Sequence, residues 1–334
     1  MNSTMTSYSI RVDAGGTVLE RGEAPVPAPA AGQLLVRMRA AGLNRGEFIA
    51  AHGLHKAGAA KPAGAEGAGE IAAVGAGVAP WKAGDRVMGR CAGAFAEYAL
   101  MDAREAMAMP AKLSWEEAAA VPLVFMVVHD MLIAQGRLRA GEWLLVTGVS
   151  SGVGVAALQT GKALGAKVIG TSGSAEKLAK LSAMGLDVAV NTRRPDFHDQ
   201  AMQATGGKGV DLVVNSVGGT VFAECVRSLA FQGRLATVGY VDGVMKAEID
   251  LEALHSKRLT LFGVSNKLRN AEQRAATVRG FVADLLPHFS GGRIRPVVDK
   301  VYAFDELPAA KAYMESNAHL GKIVVRLNGG ERHG

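Results

Sequence analysis

The stretch that decides the fold is Trp143-Leu144-Leu145-Val146-Thr147 followed by Gly148-Val149-Ser150-Ser151-Gly152-Val153-Gly154. It reads as a buried strand, a glycine-rich turn and the start of a helix. A helix that opens on such a turn has first-turn amides with no partner inside the helix. Those donors and the positive end of the helix dipole suit the pyrophosphate of a dinucleotide, and the glycines let the backbone come close to it. Taken alone, the turn also fits a plain tight strand-to-helix connection.

The residues that follow favour the phosphate cradle. Residues 155–164 continue as a helix, with Ala156, Ala157, Leu158 and Ala163 small or apolar and Gln159 and Lys162 on a solvated face; Gly165 ends it. Lys167-Val168-Ile169-Gly170-Thr171 is a second strand, which completes a βαβ unit. Further strands are expected at 188–190, 210–214, 234–238 and 258–263, with helices at 175–184 and 220–229 between them. Strands alternating with helices make a parallel, doubly wound sheet.

Upstream, short strands at 33–40, 69–74, 86–88 and 94–100 describe a β-rich region. The Pro-Ala run at 25–31 is expected to be an extended surface connection, and residues 1–7 a frayed end. Ser114 with Glu117 forms a capping box for a short helix running into Pro122, and a long helix then leads toward Gly136. Downstream, a helix over 271–289, a strand at 297–302, a helix at 309–315 and a strand at 322–327 break the alternation. They return to complete the first domain. The expected organisation is residues 1–123, a dinucleotide-binding domain over 124–265, and 266–334 returning to the first.

With 334 residues, 49% hydrophobic and 20% charged, the chain has room for two globular domains. The net charge of +6 is mild and its Lys and Arg are dispersed, which argues against a nucleic-acid groove. Cys91 and Cys225 are too few for a disulfide framework or a four-thiolate zinc site, and both are expected to be buried and inert. The longest apolar run, 118–134, is broken by His129 and Asp130, so no membrane span is expected. No signal peptide is evident, and a cytoplasmic location is the expectation.

The end of the second strand selects between nucleotides. A Rossmann unit that takes NAD usually has a carboxylate there, whereas this chain has Thr171-Ser172-Gly173-Ser174 with Lys177 a turn further on. Hydroxyls and a positive charge suit the 2′-phosphate of NADPH. The alternative is that Ser174 only caps the helix and Lys177 is a solvated helix residue.

Several motifs in order carry a resemblance over nearly the whole chain: Ala41-Gly42-Leu43-Asn44-Arg45, Gly64-Ala65-Glu66-Gly67-Ala68-Gly69, Gly84-Asp85-Arg86-Val87, the 148–154 turn, Asn215-Ser216-Val217-Gly218-Gly219 and Gly321-Lys322-Ile323-Val324. The chain resembles the zinc-independent medium-chain dehydrogenases/reductases of the quinone oxidoreductase, zeta-crystallin-like group. That implies an α/β fold, a Rossmann doubly wound parallel sheet plus a discontinuous GroES-like β-rich domain. Zinc-dependent relatives carry a Cys where this chain has Asn44 and a His where it has Ala65, so the resemblance implies no catalytic metal. Short-chain dehydrogenases share the Thr-Gly-x-x-x-Gly-x-Gly pattern of 147–154. They place it near the N-terminus and need a Tyr with a Lys four residues later, which none of the five tyrosines has.

What the resemblance implies is NADPH-dependent hydride transfer to a quinone or an α,β-unsaturated carbonyl; the alternative is a low-turnover NADPH-binding sensor or crystallin-like protein. The cofactor residues would be Gly148, Ser150, Ser151, Gly152, Val153, Gly154, Ser172, Gly173, Lys177, Thr192, Asn215, Gly239, Tyr240, Val264, Ser265 and Lys322. Tyr240, Val264 and Ser265 enter by their place after strand ends, and Thr192 stands where relatives commonly have a Tyr. Asn44 would donate to a substrate carbonyl, or else bridge loop backbone groups. His55, where many relatives have Tyr, could donate a proton, or stand idle in an exposed loop. Val127-Val128-His129 replaces a usual Thr-Ala-Tyr run, with His129 read as a core or pocket-wall residue. The partners implied are the small-molecule acceptor and a second copy of the chain, as a homodimer through the edge of the Rossmann sheet, with neither nucleic acid nor membrane.

Overall fold

The computed structural model describes residues 4–13, 16–48 and 60–327. The chain divides into two compact units, Met1–Leu123 with Asn270–Gly334, and Val124–Arg269.

The first unit opens with β1 (Thr4–Asp13) and β2 (Gly16–Pro25), an antiparallel pair in register from Thr4 opposite Pro25 to Asp13 opposite Gly16. Residues 4–7 are therefore strand, where a frayed end was expected. Tyr8 and Ile10 are buried and alternate with serines, so the period-2 pattern is present but muted by small polar residues. Then come β3 (Gln33–Gly42), β4 (Lys61–Pro62), β5 (Glu66–Val74), β6 (Arg86–Arg90), β7 (Tyr98–Asp102) and β8 (Ala106–Ala108). The strand expected at 94–100 begins only at Tyr98, because the amides of Gly93 and Ala94 both turn in to Gly64 O. α1 (Trp115–Ala119) carries the expected capping box: Ser114 Oγ accepts from Glu117 N, and Glu117 Oε2 accepts from Ser114 N.

α2 (Pro122–His129) starts on proline, whose missing N–H costs nothing in a first helical turn. It continues as a π-helical turn, Asp130–Ala134, in place of one regular long helix. The second unit follows as β9 (Trp143–Thr147), α3 (Gly152–Ala163), β10 (Lys167–Ser172), α4 (Ala175–Ala183), β11 (Val188–Asn191), α5 (His198–Ala204), β12 (Val210–Asn215), α6 (Phe222–Arg227), β13 (Leu229–Thr237), α7 (Leu251–Ser256) and β14 (Thr260–Gly263). Its six strands lie in the order β11-β10-β9-β12-β13-β14, all parallel. Central strands of such a sheet are covered on both faces, which is why β9 reads as an apolar run and β12 carries Leu212-Val213-Val214 at its centre. Leu145, Ile169, Val213 and Leu235 are fully buried here with Phe197 and Cys225, each aliphatic side chain contributing about 1.5–3 kcal/mol.

The chain returns to the first unit through α8 (Ala271–Asp284) and α9 (Leu286–Ser290), then β15 (Val298–Ala303), α10 (Leu307–Glu315) and β16 (Lys322–Arg326). The single helix expected over 271–289 is broken at Leu285, since Pro287 lacks an amide and its ring clashes with the carbonyl four residues back. β16 pairs antiparallel with β3, giving a seven-stranded sheet in the order β15-β16-β3-β5-β6-β8, with β7 also on β3. Leu34, Val36 and Met38 of β3 share one core with Ile71, Phe95, Ile323 and Val325. Among the described residues no helix is long and apolar enough to cross a membrane.

Candidate functional site

Chemistry-bearing residues gather in two places, one in each unit. In the second unit the turn after β9 has Gly148 at φ +64°, where a side chain would be strained. A Cβ on Gly154 would come within 2.5 Å of Gly148 O, so the helix start packs directly on the turn. Ser151 caps α3, its Oγ accepting from Gly154 N at 3.1 Å, and Val155 N donates to Ser151 O. The amides of Gly152 and Val153 are left outside the helix ladder, where an anion can take them.

Beside the turn, Ser150 Oγ meets Ser172 Oγ at 3.2 Å, and Ser172 Oγ accepts from Ser174 N. Ser174 does cap α4, accepting from Lys177 N. Sequence reading overlooked Arg193. Its exposed side chain lies across Gly173 and leaves no room for a Cβ there, so a guanidinium stands where the second strand ends. Thr192 is engaged locally: its Oγ1 donates to Asp196 Oδ1 at 2.6 Å and accepts from Arg194 N.

Asn215, wholly buried, organises the next loop. Its Oδ1 accepts from Val217 N and Gly218 N while its Nδ2 donates to Gly218 O at 2.9 Å. Ser216 Oγ donates to Thr147 O and draws that loop onto β9. A Cβ on Gly239 would lie 3.3 Å from Ser216 O, so this loop and the one after β13 also pack closely. Tyr240 is 40% exposed on the loop after β13, and after β14 Val264 is buried with its N donating to Thr237 O, while Ser265 Oγ accepts from Lys267 N. All these loops lie at the C-terminal ends of the parallel strands, where open α/β sheets bind ligands.

In the first unit Asn44, Glu66 and Lys322 form a buried network. Lys322 Nζ donates to Glu66 Oε1 at 2.6 Å, to Asn44 Oδ1 at 2.8 Å and to Leu43 O at 2.7 Å. Asn44 Nδ2 donates to Glu66 Oε1 at 2.8 Å, and Leu123 N to Glu66 Oε2 at 2.7 Å. Glu66 has no solvent exposure and Lys322 only 5%. Gly42 is small because Glu66 Oε1 and Ala119 O occupy the space of a Cβ. Lys322 is thus no solvated strand-end lysine, and Asn44 is held at both ends of its amide.

Glu47, in the 3-10 turn after Asn44, was also missed. Burial and then the neighbouring charge of Glu66 push its carboxyl up to about 8, with Lys322 and hydrogen bonds from Asn44 partly offsetting them, and its Oε2 is buried with no hydrogen-bond partner among the described residues. Burial and Glu66 likewise push the Cys91 thiol up to about 12, and burial raises Cys225. Neither is a nucleophile at neutral pH. His55 lies outside the described residues. His129 is buried in α2.

These placements meet several known proteins. Residues 30–111 match the alcohol dehydrogenase GroES-like domain, and residues 152–278 a domain described as zinc-binding dehydrogenase. The zinc of that description does not fit this chain. Where the resemblance puts the zinc ligands of metal-dependent relatives stand an amide, Asn44, and a methyl, Ala65, and the Lys322 ammonium is bonded to Asn44 and Glu66. Neither an amide nor a methyl supplies the thiolate and imidazole such a site uses, and among the described residues no group of three His, Cys, Asp or Glu could hold a metal.

The quinone oxidoreductase of Rattus norvegicus is 30% identical over 309 residues, 90% of this chain and 91% of that one. The spectinabilin polyketide synthase system protein NorB of Streptomyces orinoci is 33% identical over 319 residues, 94% of this chain, and the chain spans only 14% of that protein's length. Among solved structures, a mycobacterial protein complexed with NADPH has 28% identity and a TM-score of 0.85, over 97% of this chain and 100% of that one. The CurK enoyl reductase has 26% identity and a TM-score of 0.84, over 98% and 99%. Likeness along both units, at this identity and coverage, makes the chain an oxidoreductase of the medium-chain dehydrogenase/reductase family, in its quinone oxidoreductase-like group.

Proposed function

We propose that the chain uses NADPH to reduce a quinone or the double bond of an α,β-unsaturated carbonyl, without a metal. The observation that carries this reading is the Asn44–Glu66–Lys322 network, which puts an oriented hydrogen-bond donor where zinc-dependent relatives place a metal ligand. The quinone oxidoreductase and enoyl reductase relatives support the two acceptor classes, and the mycobacterial NADPH complex supports the cofactor.

The capped turn at Ser151 holds the pyrophosphate through the amides of Gly152 and Val153. Ser172 and the Arg193 guanidinium favour the 2′-phosphate at the end of β10, where no carboxylate stands to repel it. The bound nucleotide supplies the hydride. Asn44 turns an N–H of its amide to the carbonyl oxygen of the acceptor, where charge grows as reduction proceeds. Lys322 fixes the rotamer of that amide through Oδ1. His55 is the proton donor.

The test follows NADPH and NADH absorbance against a panel of quinones, enones and alkenals, with and without chelator. Expected is turnover with NADPH that chelation leaves unchanged. Equal use of NADH, or loss of activity with chelator, overturns the cofactor or the metal-free part. Tight NADPH binding with no oxidation across the panel assigns the sensor reading instead. His55→Phe is expected to lower turnover and shift its pH profile, and an unchanged profile removes His55 from the reaction.

A further inference from the structure

The parallel sheet of the second unit has an opposite end, where the strands begin. There, Arg137 and Arg139 lead into β9 and Arg258 leads into β14. Between them is a cavity of about 520 Å³ walled by Arg137, Arg139, Gln232, Arg234, Arg258 and Thr260. Among the described residues that line it, none is acidic.

The four guanidiniums are unevenly compensated. Arg234 is held in place: its NH2 meets Glu142 Oε2 at 2.7 Å, its Nε donates to Asp211 O and its NH1 to Arg137 O. The second charge-assisted bond of Glu142 Oε2 goes to the backbone amide of Arg139. No ion pair among the described residues engages the side chains of Arg137, Arg139 or Arg258, and all three are exposed. Gathering like charges around one concavity works against folding unless an anion joins them.

The backbone is strained at the same place. Four non-glycine residues among those described have positive φ, and three of them line this cavity: Arg137 at +47°, Gln232 at +60° and Arg258 at +53°. Arg258 stands just past the C-cap of α7, where glycine is the usual residue. Gln232 sits in a bulge, because the β12–β13 register passes from Val210 opposite Leu229 to Leu212 opposite Arg234. Its amide donates to Lys257 O at 2.6 Å and ties the bulge to the turn that presents Arg258. Strain concentrated around one cavity is the pattern of a site with a ligand.

We propose that this cavity binds the di- or triphosphate group of a small molecule, at the end of the sheet opposite the dinucleotide turn. Each guanidinium offers five N–H donors in a planar fork, and the three forks of Arg137, Arg139 and Arg258, which no ion pair engages among the described residues, together exceed what one phosphate can accept. The cavity volume also has room for more than one phosphate.

The experiment is calorimetric titration of inorganic tripolyphosphate into the full chain, with and without saturating NADPH. Expected is one saturable site per chain that NADPH does not block and that added salt weakens. The double variant Arg137→Gly/Arg258→Gly should bind at least tenfold more weakly with an unlowered melting temperature, since glycine adopts positive φ freely. Arg139→Gln, which changes no strained residue, should weaken binding severalfold. Absence of saturable binding, displacement by NADPH, or wild-type affinity in these variants overturns the proposal.

Discussion

Lys322 Nζ lies 2.6 Å from Glu66 Oε1, joining β16 near one end of the chain to β5 in a place where neither side chain meets solvent appreciably. Glu66 also accepts from Asn44 and Leu123 N, so this buried charge is fully hydrogen-bonded. Such a pair is weak evidence for stability in itself, yet removing one partner strands the other.

Lys322→Met should therefore destabilise the chain by about 3–5 kcal/mol. Glu66→Gln added to Lys322→Met should restore part of that loss, because no buried charge is left. Chemical denaturation of the two single variants and the double variant measures it; additive losses would show that the two groups do not act as a pair. Asn44 loses its orienting partner in Lys322→Met, so kcat should fall more than KM rises.

Glu47 sets a pH dependence of stability. Its folded carboxyl is pushed up to about 8 from the ordinary 4.5, so between those values the native state holds a proton that the unfolded state releases. Stability is fully present below about 4.5, falls as pH rises toward 8, and levels off above it. Glu47→Gln should remove that slope and exceed the wild type in stability at alkaline pH. Melting curves across pH compare the two proteins, and parallel profiles would remove Glu47 as the source.

Arg193 and Gly173 should govern nucleotide choice. Arg193→Gln is expected to raise KM for NADPH roughly tenfold, the loss of one charge-assisted hydrogen bond, and to leave NADH unchanged. Gly173→Ala displaces the same guanidinium and should act in the same direction. Kinetics with both nucleotides decide it, and an equal effect on NADH would assign Arg193 a structural role.

Ser151→Ala should cost about 1 kcal/mol of stability through the lost helix cap. Dinucleotide affinity should fall with it, since the Ser151 cap positions the first turn of α3. Thermal unfolding and fluorescence titration read the two effects separately; a loss of stability with unchanged affinity would restrict Ser151 to capping.

Local signals were legible in the residues. The β9–α3–β10 unit, the Ser114–Glu117 capping box and the parallel second unit follow from apolar runs, glycines and caps a few residues apart. Elements without such signals were not. β1 hides its alternation behind serines, and α5 and α7, at seven and six residues, are too short to show a helical period. The break at Leu285 needed only Pro287, a signal present and passed over.

Residue type and local spacing were enough to mark a glycine-rich strand–turn–helix that suits a dinucleotide, and the family resemblance set Asn44 and Ala65 where relatives carry a thiolate and an imidazole, groups that neither residue has. Only the folded chain shows that Lys322 and Glu66, 256 residues apart, form one buried pair, that Arg193 crosses Gly173, and that arginines from three separate segments share one cavity. Those relationships depend on β16 returning to β3 and on the register of parallel strands. Pairings of that kind are set by burial and packing over the whole fold, and no local pattern encodes them.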